Sequence, residues 1–206
     1  MPDSSARALI DNSRAGLQQL LEELRSAPER QPEIEEQIQE LFRQDRAVMV
    51  LDMSGFSRTT RHAGIVAFLV MIHQMRALAE PIVYEHGGVV VKEEADNLYC
   101  LFDHPAGAAK AAGEITRRLQ AANAALPEGG RLYVSVGIGY GPILNVANED
   151  IWGNEVNLAS KLGEDIAERG EVLMTEAAFD AVEDINAVPR EINISGIDLT
   201  FYRLEE

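Results

Sequence analysis

The chain has 206 residues, 46% of them hydrophobic, with 34 acidic against 18 basic side chains and a formal net charge of −16. That is long enough for one sizeable α/β core, while the negative charge repels phosphate backbones and anionic bilayers, so neither nucleic acid nor membrane is expected as a partner. The one cysteine, Cys100, excludes an intrachain disulfide, fits a reducing cytoplasm, and reads as a core residue of an apolar strand.

Met1-Pro2-Asp3-Ser4-Ser5 lacks the basic-then-apolar pattern of a signal peptide. Leu9, Ile10, Leu17, Leu20, Leu21 and Leu24 recur at helical steps, with Ser4 or Ser5 available as the cap. Pro28 and Pro32 break that helix, and a second short one carries Ile34, Ile38, Leu41 and Phe42. Residues 1–45 thus form an N-terminal helical extension. Its simplest role is a hairpin covering core; a dimerisation element or a dock for a regulatory partner are the alternatives.

From residue 46 the pattern changes. Ala47-Val48-Met49-Val50-Leu51 is too apolar for a solvated strand and reads as central in a sheet, with Asp52 at its carboxyl end. The turn Ser54-Gly55-Phe56-Ser57 follows. A helix from Gly64 to Glu85 then carries Ile65, Phe68, Leu69, Ile72, Met75, Leu78 and Ile82 toward the sheet, and Pro81 should kink or interrupt it. Its most apolar run, 64–72, is too short to span a bilayer. His62, His73 and His86 stand at no metal-ligand spacing and read as surface or turn residues.

Gly87-Gly88 opens a hairpin over 89–102 with Asp96 at or beside its turn. Asp52 and Asp96 would then lie on adjacent strand ends, where two carboxylates can hold hard divalent cations; ordinary turn aspartates are the plainer reading. An alanine-rich helix runs from Pro105 to about Ala125. A strand spans 131–140, and the alternate glycines Gly137, Gly139 and Gly141 call for close approach of another backbone or a ligand. A helix begins at Gly153 and places Asn157 and Lys161, four apart, on one face, with Asp150 just before it. An ordinary solvated helix face is the plainer reading there. Strand 172–175, a short helix and a strand pair (192–194 and 199–204) close the chain. The order is α+β: a ferredoxin-like βαββαβ core with additional C-terminal α/β elements and an N-terminal helical hairpin.

Residues 46–206 resemble the class III nucleotidyl cyclase catalytic domain. The matching pieces are Asp52-Met53-Ser54-Gly55-Phe56-Ser57, Gly87-Gly88 with Lys92 and Asp96, and Asp150-Ile151-Trp152-Gly153-Asn154-Glu155-Val156-Asn157-Leu158-Ala159-Ser160. The resemblance implies that Asp52, Asp96 and the Met53 carbonyl hold two Mg²⁺ or Mn²⁺ ions, and that residues 54–57 offer N–H groups to the phosphates. It implies that Lys92 and Asp150 select the base, that Asn157 orients the ribose, and that Lys161 stands where the family has a transition-state arginine. Lysine keeps that charge without the bidentate fork. The Lys92/Asp150 set matches the adenylyl members, so ATP is the expected substrate and cyclic AMP with pyrophosphate the expected products. In the family each active site is shared across a dimer, so a homodimer with two sites is implied. Two further departures are Ser195, where the family carries a phosphate-binding lysine, and Ala95, where it carries glycine. They leave two alternatives: a catalytically weak nucleotide-binding or dimerisation module regulating a partner, and a cyclase for another base.

Overall fold

A computed structural model describes residues 10–53, 64–127, 130–194 and 197–205. The sequence expectations for Ser4, Ser5, Leu9, Ser54, Gly55, Phe56, Ser57, His62 and Ser195 fall outside them. Strand β1 (Arg43–Met53) is the centre of the sheet. Its run Ala47–Leu51 is fully buried because both faces are covered. Ala47, Met49 and Leu51 point into the cluster under α3 (Ile65–Glu85) and α4 (Pro105–Asn123). Val48 and Val50 point the other way, onto Ile143, Ile151, Val156 and Ala159.

The hairpin of β2 (Val89–Glu94) and β3 (Asn97–Phe102) lies along one side of β1, and β4 (Val134–Val146) along the other. The order β2-β3-β1-β4, antiparallel throughout, is that of the expected βαββαβ unit. Beyond it β4 pairs in parallel with β6 (Val172–Thr175), which pairs with β8 (Ile197–Leu204) and then β7 (Ala187–Ile194). A three-residue strand, β5 (Asp150–Trp152), folds back on the end of β4. Helix α5 (Asn154–Ser160) continues as a π turn over Lys161–Ile166, and α6 (Glu176–Asp180) follows β6.

Gly137 and Gly139 do seat another backbone, while Gly141 faces the Glu155 side chain. A Cβ on Gly137 would lie 2.0 Å from the Ala159 carbonyl oxygen, and one on Gly139 would lie 2.6 Å from that of Glu155. The strand therefore carries no side chains where α5 crosses it.

The N-terminal helices are α1 (Arg14–Ser26) and α2 (Gln31–Phe42), and α2 runs straight into β1. Leu20, Ile34, Ile38 and Phe42 pack against Val146. The cap of α1 is Ser13, whose hydroxyl accepts from the Gly16 N–H, so Ile10 precedes the helix instead of belonging to it. Pro32 does not break a helix: it sits in the first turn of α2, where an N–H has no intrahelical partner anyway.

Three expectations for the middle of the chain are corrected. Helix α3 passes through Pro81 without interruption; Pro81 and Ala77, whose carbonyl loses its N–H partner, both lie on the exposed face. Ile65 and Leu69 are 57% and 56% exposed, while Phe68, Ile72, Met75, Ala79, Ile82 and Val83 make the buried stripe. The strand expected over 131–140 runs instead over Val134–Val146, its second half paired to Arg43–Ala47. By length and composition α3 alone among the described helices could cross a membrane, but here it packs on the sheet.

Gly137→Ala should destabilise the protein by about 3 kcal/mol or more, since a backbone carbonyl must move. Gly113→Ala, on α4 with open space around it, should stabilise by up to about 1 kcal/mol through helix propensity. Urea denaturation of both variants checks the contrast.

Candidate active site

Asp52 is the penultimate residue of β1. Leu51 pairs with Leu98, so one step further the β2–β3 turn that carries Asp96 comes alongside. Asp52 is half-buried, and its carboxyl pKa is pushed up to about 7. Burial is the main cause; the charges of Asp96, Glu164 and Asp165 add to it, and a hydrogen bond from the Met53 backbone opposes it. Glu164 is likewise held above its ordinary value, first by burial, although the Tyr99 hydroxyl donates to it at 3.1 Å. Asp52 and Asp96 therefore do come together, and Glu164 and Asp165 from the π turn join them. Sequence spacing could not show these two, because the turn is brought over β1 only by the glycine seat on β4.

The turn holding Asp96 is braced. Ala95 has φ +51, a left-handed conformation that glycine adopts more readily. The Arg76 guanidinium donates to the Ala95 carbonyl at 2.8 Å and pairs with Glu93, tying α3 to the turn.

No three His, Cys, Asp or Glu side chains among the described residues stand close enough to hold a metal by themselves. The donor set is two carboxylates and a backbone carbonyl. That suits Mg²⁺ or Mn²⁺, which bind through one or two carboxylates and complete their shell with water and substrate phosphate. The charges that raise the Asp52 pKa are all carboxylates, Asp96, Glu164 and Asp165, so a divalent cation between them would relieve their repulsion.

Lys92 and Asp150 meet at 3.7 Å although they come from separate strands, β2 and β5. A register shift between Val90 and Lys92 places Lys92 opposite Tyr99, with its ammonium 5.3 Å from the ring centre. Its ammonium also pairs with Glu94 at 2.9 Å, and Glu94 first, then Asp150, holds its pKa above the ordinary value against burial. Asp150 lies in a strand and turns toward Lys92.

Asn157 is exposed on α5, and Lys161 begins the π turn one helical turn later, so their common face stands. Lys161 pairs with Asp165 at 2.5 Å. Glu155 anchors α5: its carboxylate accepts from the Tyr140 N–H at 3.1 Å and the Thr175 hydroxyl at 3.0 Å. Arg190 and Arg203 are both drawn to Glu171, at 3.3 and 3.8 Å. His86 reaches Glu114 at 2.8 Å, a pairing its sequence context did not suggest, and Cys100 is fully buried as expected.

No family model matches the chain. It is 27% identical over 136 residues to the protein named "Putative adenylate cyclase 3" of Rhizobium meliloti (strain 1021), a match covering 66% of this chain and 23% of that protein. Among solved structures, the adenylate/guanylate cyclase/hydrolase of Silicibacter pomeroyi superposes with a TM-score of 0.67 at 25% identity, over 79% of this chain and 96% of that one. The guanylyl cyclase Cya2 superposes with a TM-score of 0.68 at 16% identity, over 79% and 92%.

The raised pKa of Asp52 has a sign that can be tested. Between its ordinary value of 3.8 and about 7, the unfolded chain has lost the proton while the folded chain keeps it. The folded state then binds more protons, so this group's contribution to stability falls as pH rises through that window. Asp52→Asn should remove the fall: in chelator, urea denaturation should find the variant more stable than the parent at pH 8 and nearly equal to it at pH 4.

Proposed function

We propose that this chain, whose fold is that of the class III adenylate/guanylate cyclase catalytic domain, is an adenylyl cyclase that converts ATP to 3′,5′-cyclic AMP and pyrophosphate in the cytoplasm, as a homodimer. The observation that carries the reading is the meeting of Lys92 and Asp150 at 3.7 Å, at the positions where the family reads the base. A lysine donates to adenine N1, and an aspartate accepts from the exocyclic amine. Guanine presents the reverse pattern at both atoms.

Asp52 and Asp96, with the Met53 carbonyl, would hold the divalent ions. When bound, the ions neutralise the triphosphate and favour ionisation of the ribose 3′-hydroxyl. The chain's own residues then act chiefly by positioning and charge. Asn157 orients the ribose. Lys161 balances charge as the 3′-oxygen–phosphorus bond forms and the α–β bridge to pyrophosphate breaks. By the family's arrangement, the carboxylates of one protomer face Lys92, Asp150, Asn157 and Lys161 of another. Each chain carries both halves, so a symmetric pair has two sites.

One observation favours a second reading, a weak or non-cyclising nucleotide-binding module. Lys161 is engaged by Asp165, and Arg190 and Arg203 by Glu171, so few cations remain for the phosphates.

ATP, GTP, CTP and UTP supplied separately with Mn²⁺ or Mg²⁺ to the purified protein should yield cyclic AMP as the dominant product by mass spectrometry. Asp52→Ala and Asn157→Ala should each reduce it at least about a hundredfold, the scale of lost electrostatic stabilisation. Mixing the two variants should restore one working site per heterodimer. Another dominant cyclic nucleotide would overturn the base assignment, and no product from folded dimer would favour the second reading.

A further inference from the structure

The hairpin that presents Asp150 is held from outside the catalytic fold. β4 and β5 pair from Val146–Asp150 to Leu144–Trp152, and the three-residue loop between them places both Ala147 and Asn148 at left-handed φ, +53 and +55. Alanine has no side chain to satisfy such a conformation and disfavours it. The loop is exposed, so burial does not hold it there.

Two asparagine side chains do, together with a turn hydrogen bond from the Glu149 N–H to the Val146 carbonyl at 2.8 Å. The Asn12 amide oxygen accepts from the Ala147 N–H at 2.7 Å, while its nitrogen donates to the carbonyls of Asn145 and Leu41, each at 3.0 Å. Asn12 thus joins the start of the N-terminal extension, the end of α2 and the β4–β5 loop. The loop side of the junction is also polar and buried. Asn145 is 3% exposed; its amide nitrogen donates to Gln44 at 3.0 Å and Asn148 at 2.7 Å, and its oxygen accepts from the Asn148 N–H at 3.0 Å. Gln44 belongs to β1, the strand that carries Asp52. Beneath this network Leu20, Ile34, Ile38 and Phe42 clamp Val146, the residue paired with Asp150.

We infer that Asn12 is a positioning residue for base reading: it fixes the β4–β5 loop, and through the loop the register of Asp150 against Lys92. The inference rests on the base-reading role proposed for Asp150, and it gives residues 10–42 a function within the site. With the Asn12 bonds gone, Ala147 relaxes from its left-handed conformation and β5 is no longer tied to α2. Asp150 then samples positions away from Lys92, and the cost falls on discrimination between adenine and guanine. The metal carboxylates on β1 and the β2–β3 turn, and with them the rate of bound substrate, are spared.

The test uses the full-length protein and Asn12→Ala, with amide exchange by NMR and binding of the non-cyclisable probes 3′-deoxy-ATP and 3′-deoxy-GTP in Mn²⁺. The Ala147 amide should exchange about tenfold faster, and the ATP-to-GTP affinity ratio should fall about three- to tenfold, the scale of one or two hydrogen bonds. KM for ATP should rise by a similar factor while kcat changes less than about twofold. Asn12→Asp keeps an acceptor for the Ala147 N–H but sets a carboxylate oxygen against the Leu41 and Asn145 carbonyls, so it should lower the affinity ratio as Asn12→Ala does. In Asn12→Ala, faster exchange with an unchanged affinity ratio would overturn the inference, as would a fall in kcat at constant KM and ratio, or unchanged exchange. A parent protein that binds the adenine probe selectively yet yields no cyclic product would overturn the cyclase reading, and the probes would still decide the role of Asn12.

Discussion

The architecture depends on one backbone-to-backbone contact, the crossing of the α5 helix and its π turn over β4. Gly137 and Gly139 leave room for the carbonyls of Ala159 and Glu155, and a Cβ on Gly163 in the π turn would lie 2.9 Å from the Gly137 nitrogen and from the Val50 carbonyl oxygen. With no side chain between them the two backbones set their separation at a fixed value. Glu155 then pins the start of the helix by hydrogen bonds to β4 and Thr175. The outward face carries Asn157 and Lys161, and the continuing turn brings Glu164 and Asp165 into the field of Asp52. Gaining or losing one methyl group at the crossing would displace every one of these groups together.

Electrostatics give the site its direction. Several basic side chains around it are already paired: Arg76 with Glu93, Lys92 with Glu94 and Lys161 with Asp165. The carboxylates at the end of β1 are the part left in excess, in a chain of net charge −16. Such a cluster attracts cations and repels anions, so on the reading proposed above metal ion and nucleotide would enter as one complex.

Much of this was legible in the sequence. The apolar run of β1, the placement of Asp52 and Asp96 and the meaning of the alternate glycines follow from periodicity and from the steric character of glycine, which are local properties. So does the βαββαβ order. The convergence of Lys92 with Asp150 was carried by family resemblance, since 57 residues of chain lie between positions 92 and 150 and no local rule spans them. What stayed hidden depends on tertiary context. Ile65 and Leu69 fit a helical stripe as well as Phe68 does, and only the position of the sheet decides which is covered. Ser13 caps α1 because Asn12 beside it is anchored 133 residues away, at Asn145, a contact that no local pattern reveals. The π turn that recruits Glu164 and Asp165 has no composition of its own, and Arg76, which braces the Asp96 turn, looks in sequence like any solvated helix residue.

The chain's single tryptophan, Trp152, ends β5 two residues after Asp150 and is 57% exposed. It borders a hollow of about 420 Å³ shared with Gln39 and Arg43 at the junction of α2 and β1. Its indole is therefore sensitive to the solvent where the N-terminal helices, the central strand and the β4–β5 hairpin converge. The protein carries a built-in fluorophore there, with no second emitter of its kind to dilute the signal, so its emission reports on that junction without any label.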